Sequence, residues 1–189
     1  MKNIIFKAIS DHEHAVEILK KESKTIEKIA NIFINTLVQK GKIIFMGNGG
    51  SAADAQHLAA ELVGRFKKNR SALAAIALTD NTSILTAVGN DFGFKDIFVR
   101  QIEALANSND TVVGISTSGM SENIISAIHK CRELNINTVG FLGKDGGRML
   151  DILDSALLIS YPDTPRIQEA QILAGHIICE IVEEHFSKN

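Results

Sequence analysis

The chain has 189 residues, of which 45% are hydrophobic and only two are proline, and its formal net charge is -2 at pH 7. These values exclude an intrinsically disordered chain and predict one folded domain covering residues 1–189. The single short basic run, "RFKKNR" at 65–70, is interpreted as a solvated helix end, so composition gives no indication of nucleic acid binding.

Cysteine content and hydropathy limit the class of protein further. The two cysteines, Cys131 and Cys179, both fall in helical patterns, which argues against a disulfide scaffold and excludes a four-cysteine zinc site. The N-terminal segment lacks a signal-peptide core, and no apolar run approaches the length of a membrane span. We therefore expect a cytoplasmic protein that does not interact with a membrane.

The predicted elements begin with helical periodicity over residues 10–40, which indicates one or two long helices. The predicted strands are 42–47, 72–78, 111–116, 137–143 and 156–160. The predicted helices lie near 52–64, 81–88, 95–107 and 122–134, with a final helix from about 165 to 186. This alternation predicts an α/β fold, a three-layer αβα sandwich around a central five-stranded parallel sheet. The loops that follow the strands then share the ligand-binding edge of the sheet.

The first strand leads into "GNGGSAADAQHLAAEL" at 47–62, a glycine loop followed by a helical pattern. Gly47, Gly49 and Ala52 match a variant of the dinucleotide fingerprint. The fingerprint expects an acidic residue about 20 positions on, whereas the next predicted strand ends roughly thirty positions along. The lysine of a nucleotide triphosphate P-loop is also missing, so we predict no nucleotide cofactor.

Ser51 and Asp54 in this loop have the spacing of a capping box, which is an alternative to a ligand-binding role for Ser51. A carboxylate in the first helical turn would tend to repel a phosphate placed on the same helix end. We therefore expect the first loop to hold the sugar part of a ligand.

The third strand leads into "STSGMS" at 116–121, which offers hydroxyl donors from Ser116, Thr117, Ser118 and Ser121 before a helix N-terminus. Hydroxyls, free amides and a favourable helix dipole suit a sugar monophosphate. A plain serine-rich turn and cap is the alternative. Likewise, "VGNDFGF" at 88–94 is either a structural turn or a turn that reaches a ligand.

His57 and Glu61 lie on one face of the helix that follows the first loop. A solvated face would have the same spacing, and His176 in the apolar final helix could equally be a satisfied buried histidine. Gln168 shares a face with His176, so the four residues could form a metal site or an acid–base pair with positioning groups. Residue chemistry alone leaves these alternatives open.

Five motifs together resemble the phosphoheptose isomerases, a branch of the sugar isomerase (SIS) domain superfamily, over nearly the whole chain. In chain order they are "GNGGSAADAQHLAAELVGRF", "GNDFGF", "GISTSGMSENI", "GKDGG" and "RIQEAQILAGHIICEIVE". The resemblance implies a SIS fold and conversion of sedoheptulose 7-phosphate into D-glycero-D-manno-heptose 7-phosphate. That reaction is the first step of heptose synthesis for bacterial surface polysaccharide. It also implies a homotetramer that uses the helical segment 1–40 for assembly.

The resemblance also implies the site residues. Zinc would be bound by His57, Glu61, Gln168 and His176. Substrate contacts are implied for Asn48, Gly49, Gly50, Ser51, Glu61, Asn90, Asp91, Ser116, Thr117, Ser118, Ser121 and Gln168. Met120 departs from the family, where a polar residue is expected.

Ketose–aldose isomerisation moves a proton between C1 and C2 through an enediol and needs a base at carbon and an exchanging group at oxygen. We assign the first role to Glu61 and the second to His176, although the two could be interchanged. One alternative is a non-catalytic tetrameric relative that binds the bacterial replication initiator, which would need neither residue. The others are an isomerase of a different sugar phosphate and a nicotinamide enzyme, the latter disfavoured by the missing acidic residue.

Overall fold

A computed structural model describes residues 1–187 as seven α-helices and five strands. The helices are α1 (Lys2–Lys21), α2 (Ser23–Val38), α3 (Gly50–Val63), α4 (Thr82–Asp91), α5 (Val99–Leu105), α6 (Glu122–Glu133) and α7 (Thr164–Phe186). The strands are β1 (Ile43–Gly47), β2 (Ala75–Ala77), β3 (Thr111–Ser116), β4 (Asn137–Gly143) and β5 (Ser155–Ile159). Within this part of the chain, no helix combines the length and apolarity that crossing a membrane requires.

The five strands form one parallel sheet in the order β2-β1-β3-β4-β5. Side chains alternate between its faces, as the period of two in a strand requires. In β1, Ile43 and Phe45 enter one core cluster, whereas Ile44 and Met46 enter the other. Helices α1, α2, α3 and α7 cover the first face and α4, α5 and α6 the second. The predicted three-layer αβα sandwich is therefore confirmed.

The chain changes direction across the sheet at β1, because β2 pairs on one side of β1 and β3 on the other. Parallel sheets bind ligands at such a switch point, outside the carboxyl ends of the strands. Gly47 at the end of β1 pairs with Ile115 near the end of β3. The two predicted ligand loops therefore leave the sheet side by side.

Most predicted boundaries agree with the structure, and the main differences lie beside edge strands and glycines. The predicted helix at 95–107 is a 3₁₀ turn, Phe94–Asp96, followed by the short α5. The turn comes directly after Gly93, whose φ is 100°. Strand β2 has only three residues and is an edge strand that pairs with β1. A further 3₁₀ helix, Gly147–Ile152, has no counterpart in the prediction.

Candidate active site

The loop after β1 is a tight glycine turn that leads directly into α3. Gly49 has φ 57° and ψ -121° and is the N-cap of α3. A Cβ on Gly47 would lie 2.4 Å from the carbonyl oxygen of Ser51, so only glycine fits there. The predicted capping box is wrong, because the N-cap of α3 is Gly49, two residues before Ser51, and Ser51 lies buried inside the helix. Asp54 caps nothing; its Oδ2 is buried without a hydrogen-bond partner among residues 1–187, and burial raises its pKa.

The loop after β3 brings serine hydroxyls together at the N-terminus of α6. Ser116 Oγ accepts a hydrogen bond from the Gly119 amide at 3.1 Å and lies 3.2 Å from Ser121 Oγ. Ser121 is the N-cap of α6, and its side chain makes no capping hydrogen bond. Ser118 Oγ accepts the Met120 amide at 3.2 Å. Hydroxyls and a helix N-terminus in this arrangement are typical of a monophosphate site.

A pair of asparagines joins the two loops. Asn48 and Asn123 donate to each other's side-chain oxygens, both at 2.9 Å, and Asn123 Oδ1 also accepts the Ile124 amide. Asn123 is buried on α6 and was not among the predicted site residues. Its signal in the sequence is one polar residue beside the apolar pair Ile124–Ile125. The reciprocal amide pair fixes the distance between the predicted sugar and phosphate loops.

His57, Glu61 and His176 converge where α3 packs against α7. The Nε2 atoms of the two histidines are 2.8 Å apart, and His57 Nε2 is 3.3 Å from Glu61 Oε1. One ligand atom from each of the three residues lies within 4.8 Å of the others. The helices approach this closely because residue 175 is glycine, where a Cβ would lie 2.6 Å from Leu58 Cδ2.

The donor set of this cluster suits a zinc ion, which binds imidazole nitrogens and carboxylate oxygens. Burial and the neighbouring His57 lower the pKa of His176, against the opposing effect of Glu61. A lowered pKa favours the neutral imidazole, the form that binds a metal or accepts a proton. The side chain of Gln168, also on α7, lies against the first loop, since a Cβ on Gly50 would be 2.5 Å from its Nε2.

The "GNDFGF" segment reaches the first loop through its second phenylalanine. Asn48, Thr79 and Phe94 help to line a cavity of about 180 Å³ beside that loop. Asn90 and Asp91 lie in the last turn of α4, where Asn90 Nδ2 donates to Asp91 Oδ1 at 2.8 Å. Their contact with a substrate stays a prediction.

The basic run at 65–70 is not a solvated helix end. Helix α3 ends at Val63, and the following loop folds onto α7. Lys67 pairs with Glu180 at 2.8 Å, and Lys68 pairs with Glu184. The buried carboxylate of Glu183 accepts the amides of residues 66, 67 and 68 at 2.9, 2.7 and 2.9 Å. The run is therefore a structural link between α3 and α7.

Glu183 gives this link a definite pH dependence. Burial alone would raise the pKa of Glu183, but the three amide hydrogen bonds and Arg70 outweigh it and hold the pKa below 4.5. The stabilisation is therefore complete above pH 4.5 and is lost as pH falls through the lower pKa of the folded state. We expect Glu183→Gln to lower the free energy of unfolding by about 2 kcal/mol at pH 7. In urea unfolding of both proteins, the difference should shrink below pH 4.5; a difference that grows there would contradict the prediction.

Sequence and structure comparisons agree with this fold. Residues 10–143 match the SIS domain family, which defines the class of protein. The chain is 50% identical over 188 residues to a phosphoheptose isomerase of Clostridium acetobutylicum, covering 97% of this chain and 95% of that protein. It is 49% identical over 185 residues to that of Nitratiruptor sp., with 92% and 99% covered. The solved phosphoheptose isomerase of Neisseria gonorrhoeae superposes with a TM-score of 0.92 at 38% identity, covering 97% and 98%.

The chain therefore belongs to the phosphoheptose isomerases, a family of SIS domain enzymes. It is an isomerase.

Proposed function

We propose that this isomerase converts sedoheptulose 7-phosphate into D-glycero-D-manno-heptose 7-phosphate. The observation that carries the proposal is the convergence of His57, Glu61 and His176 where α3, the helix that follows the first loop, packs against α7. A carboxylate and an imidazole whose ligand atoms lie within 4.8 Å of one another can serve both proton transfers of an aldose–ketose isomerisation. The identity of about half the residues with phosphoheptose isomerases supports the seven-carbon substrate.

In this mechanism Glu61 removes a proton from C1 of the ketose, and the electron pair forms the C1–C2 double bond of an enediol. As the double bond forms, neutral His176 accepts the proton of the hydroxyl at C1 and passes it to the oxygen at C2. Return of a proton to C2 then gives the aldose. The lowered pKa of His176 leaves it neutral near pH 7, where it can first accept a proton and then donate it.

The two loops position the substrate in this proposal. The hydroxyls of Ser116, Thr117, Ser118 and Ser121, with the amides of the α6 N-terminus, bind the phosphate. The sugar hydroxyls meet a second set of residues from the first loop, α4, α3 and α7. That set is Asn48, Gly49, Gly50, Ser51, Glu61, Asn90, Asp91 and Gln168.

A zinc ion fits the donor set of the site. His57, Glu61 and His176 would hold it, with Gln168 as a fourth ligand supplied by the same helix as His176. When bound, zinc supplies polarisation of the substrate carbonyl.

The direct test is to incubate the purified protein with sedoheptulose 7-phosphate in deuterated water and follow the reaction by NMR. We expect an aldose phosphate that carries deuterium at C2, loss of activity with a chelator and recovery with added zinc. Activity that survives complete removal of metal would reject the zinc requirement. Turnover of another ketose phosphate, with none of sedoheptulose 7-phosphate, would reject the seven-carbon substrate. No turnover of any sugar phosphate would favour the non-catalytic adaptor.

The wider role follows from the product. We propose that the reaction opens heptose synthesis for bacterial surface polysaccharide, either lipopolysaccharide or capsule, and takes place in the cytoplasm. We further propose that residues 1–189 form one SIS domain and assemble as a homotetramer through residues 1–40. The support for assembly is the N-terminal half of α1, where Ile4, Ile5, Phe6 and Ile9 are all more than half exposed. Large apolar side chains grouped in this way are typical of an interaction surface.

A further inference from the structure

The ring of Phe66, which is not among the predicted site residues, lies against the imidazole of His176. The ring centroids are 5.4 Å apart and the planes are inclined by 29°, which is a stacked arrangement. The ring of His57 meets the same imidazole edge-on, with centroids 5.0 Å apart. The imidazole of His176 is therefore held by two rings, only one of which belongs to a predicted metal ligand.

Stacking of this kind restricts the imidazole. Rotation of a histidine about χ2 is broad, and that rotation moves Nε2. In His176 this atom lies 2.8 Å from Nε2 of His57, so a small swing would separate them. A ring stacked on the imidazole opposes the swing, because the turning imidazole would lose the contact or collide with the ring.

Glu183 holds Phe66 in this position. It lies seven residues beyond His176 on α7, two helical turns along the same face. One carboxylate oxygen accepts the Phe66 amide at 2.9 Å, while the other accepts the amides of Lys67 and Lys68. The helix that carries His176 therefore also fixes the backbone from which the stacking ring projects.

Arg70 completes the connection to α3. Its guanidinium donates to the carbonyl oxygens of Glu61, Leu62 and Gly64 at 2.8, 2.8 and 3.2 Å. The last carbonyls of a helix have no partner within the helix, so Arg70 satisfies the end of α3. Its Nε lies 3.5 Å from Glu183 Oε1, and both side chains are at most 2% exposed. The pair joins the end of the helix that carries Glu61 to the helix that carries His176.

We propose that Phe66 is a positioning residue for His176 and that the Arg70–Glu183 pair is the brace that keeps Phe66 in place. The inference rests on the proposed function, in which His176 is both a zinc ligand and a proton-transfer group. It assigns a role to the segment 65–70, which the substrate-binding residues leave unexplained.

The test measures zinc affinity of the metal-free protein by competition with a chromophoric chelator, alongside kcat and KM. Phe66→Leu should weaken zinc binding by on the order of tenfold and lower kcat, with little change in KM for the sugar phosphate. Phe66→Tyr keeps the ring and should restore both values. Phe186→Leu, the same change at a partly buried phenylalanine at the end of α7, should leave both at the wild-type level.

Glu183→Gln tests the brace while Phe66 remains, and it should shift zinc affinity and kcat in the same direction as Phe66→Leu. Should Phe66→Leu fail to fold, Phe66→Met removes the ring with little change in volume. Folded variants at positions 66 and 183 with wild-type zinc affinity and kcat would overturn the inference, as would a wild-type protein without zinc affinity. Wild-type protein that binds zinc but does not turn over sedoheptulose 7-phosphate would instead reject the proposed substrate.

Discussion

Glu61→Gln is expected to lower kcat by about 10³-fold while leaving the protein folded. The amide keeps the shape of the side chain but cannot accept a proton from carbon. The side chain is 21% exposed, so the change should have little effect on stability. The carbonyl oxygen of Glu61, which accepts a hydrogen bond from Arg70, is unchanged by the substitution. Steady-state kinetics with sedoheptulose 7-phosphate and thermal unfolding measure the two effects.

The control for this prediction is Glu133→Gln, the same change at an exposed residue of α6 that pairs with Lys130. It should keep wild-type activity. Zinc content must be measured in both variants, because Glu61 is also a predicted metal ligand. A variant that keeps its zinc and loses turnover supports the base assignment, whereas an active Glu61→Gln protein rejects it.

Gly119→Ala is expected to disrupt the predicted phosphate loop. Gly119 has φ 63°, and a Cβ there would lie 1.8 Å from the carbonyl oxygen of Gly146. That oxygen belongs to the "GKDGG" loop, whose backbone packs directly on the loop after β3. Strain from the positive φ and the collision together should lower the free energy of unfolding by about 4 kcal/mol. Displacement of the Gly119 amide and the neighbouring hydroxyls should raise KM at least tenfold.

Gly93→Ala separates these two causes. Gly93 has φ 100°, but nothing lies within 4 Å of a Cβ at that position. This control should therefore show only the effect of backbone strain, about 1–3 kcal/mol for its extended positive-φ conformation. Thermal or urea unfolding of the two variants makes the comparison. Equal destabilisation of both would show that the contact with Gly146 is unimportant.

The sheet could be predicted from the sequence almost completely. Strands β3 and β4 begin and end where predicted, because each is a continuous apolar run bounded by polar residues or glycine. The start of α3 was harder to predict from the sequence. Ser51 has the residue type and spacing of an N-cap, yet Gly49 takes the cap with a backbone conformation that periodicity does not reveal. The local pattern thus identified the helix but misplaced the residue at which it begins.

Residues of the candidate site were harder to identify where they depend on contacts between distant segments. His57 and His176 are 119 positions apart, and residue chemistry left their shared site as one of several alternatives until the family resemblance favoured it. Asn123 and Phe66 escaped notice because their partners, Asn48 and His176, lie on other elements. Nothing in the run at 65–70 indicates that a buried glutamate of α7 accepts hydrogen bonds from its backbone amides. Side-chain pairs that join two elements become visible only when the packing of those elements is known.

The placement of His176 on α7 also has a consequence for the order in which the protein acquires activity. In the chain, α7 follows α3 and all five strands, so it is the last of these elements to be synthesised. Until α7 docks, His57 and Glu61 lack their third partner, His176. The loop at 65–70 likewise lacks the Glu183 carboxylate that accepts its backbone amides. A chain in which α7 has not docked would therefore be inert. A ligand bound jointly by α3 and α7 favours the chain in which α7 has docked, by mass action. Such a ligand therefore also stabilises the completed fold.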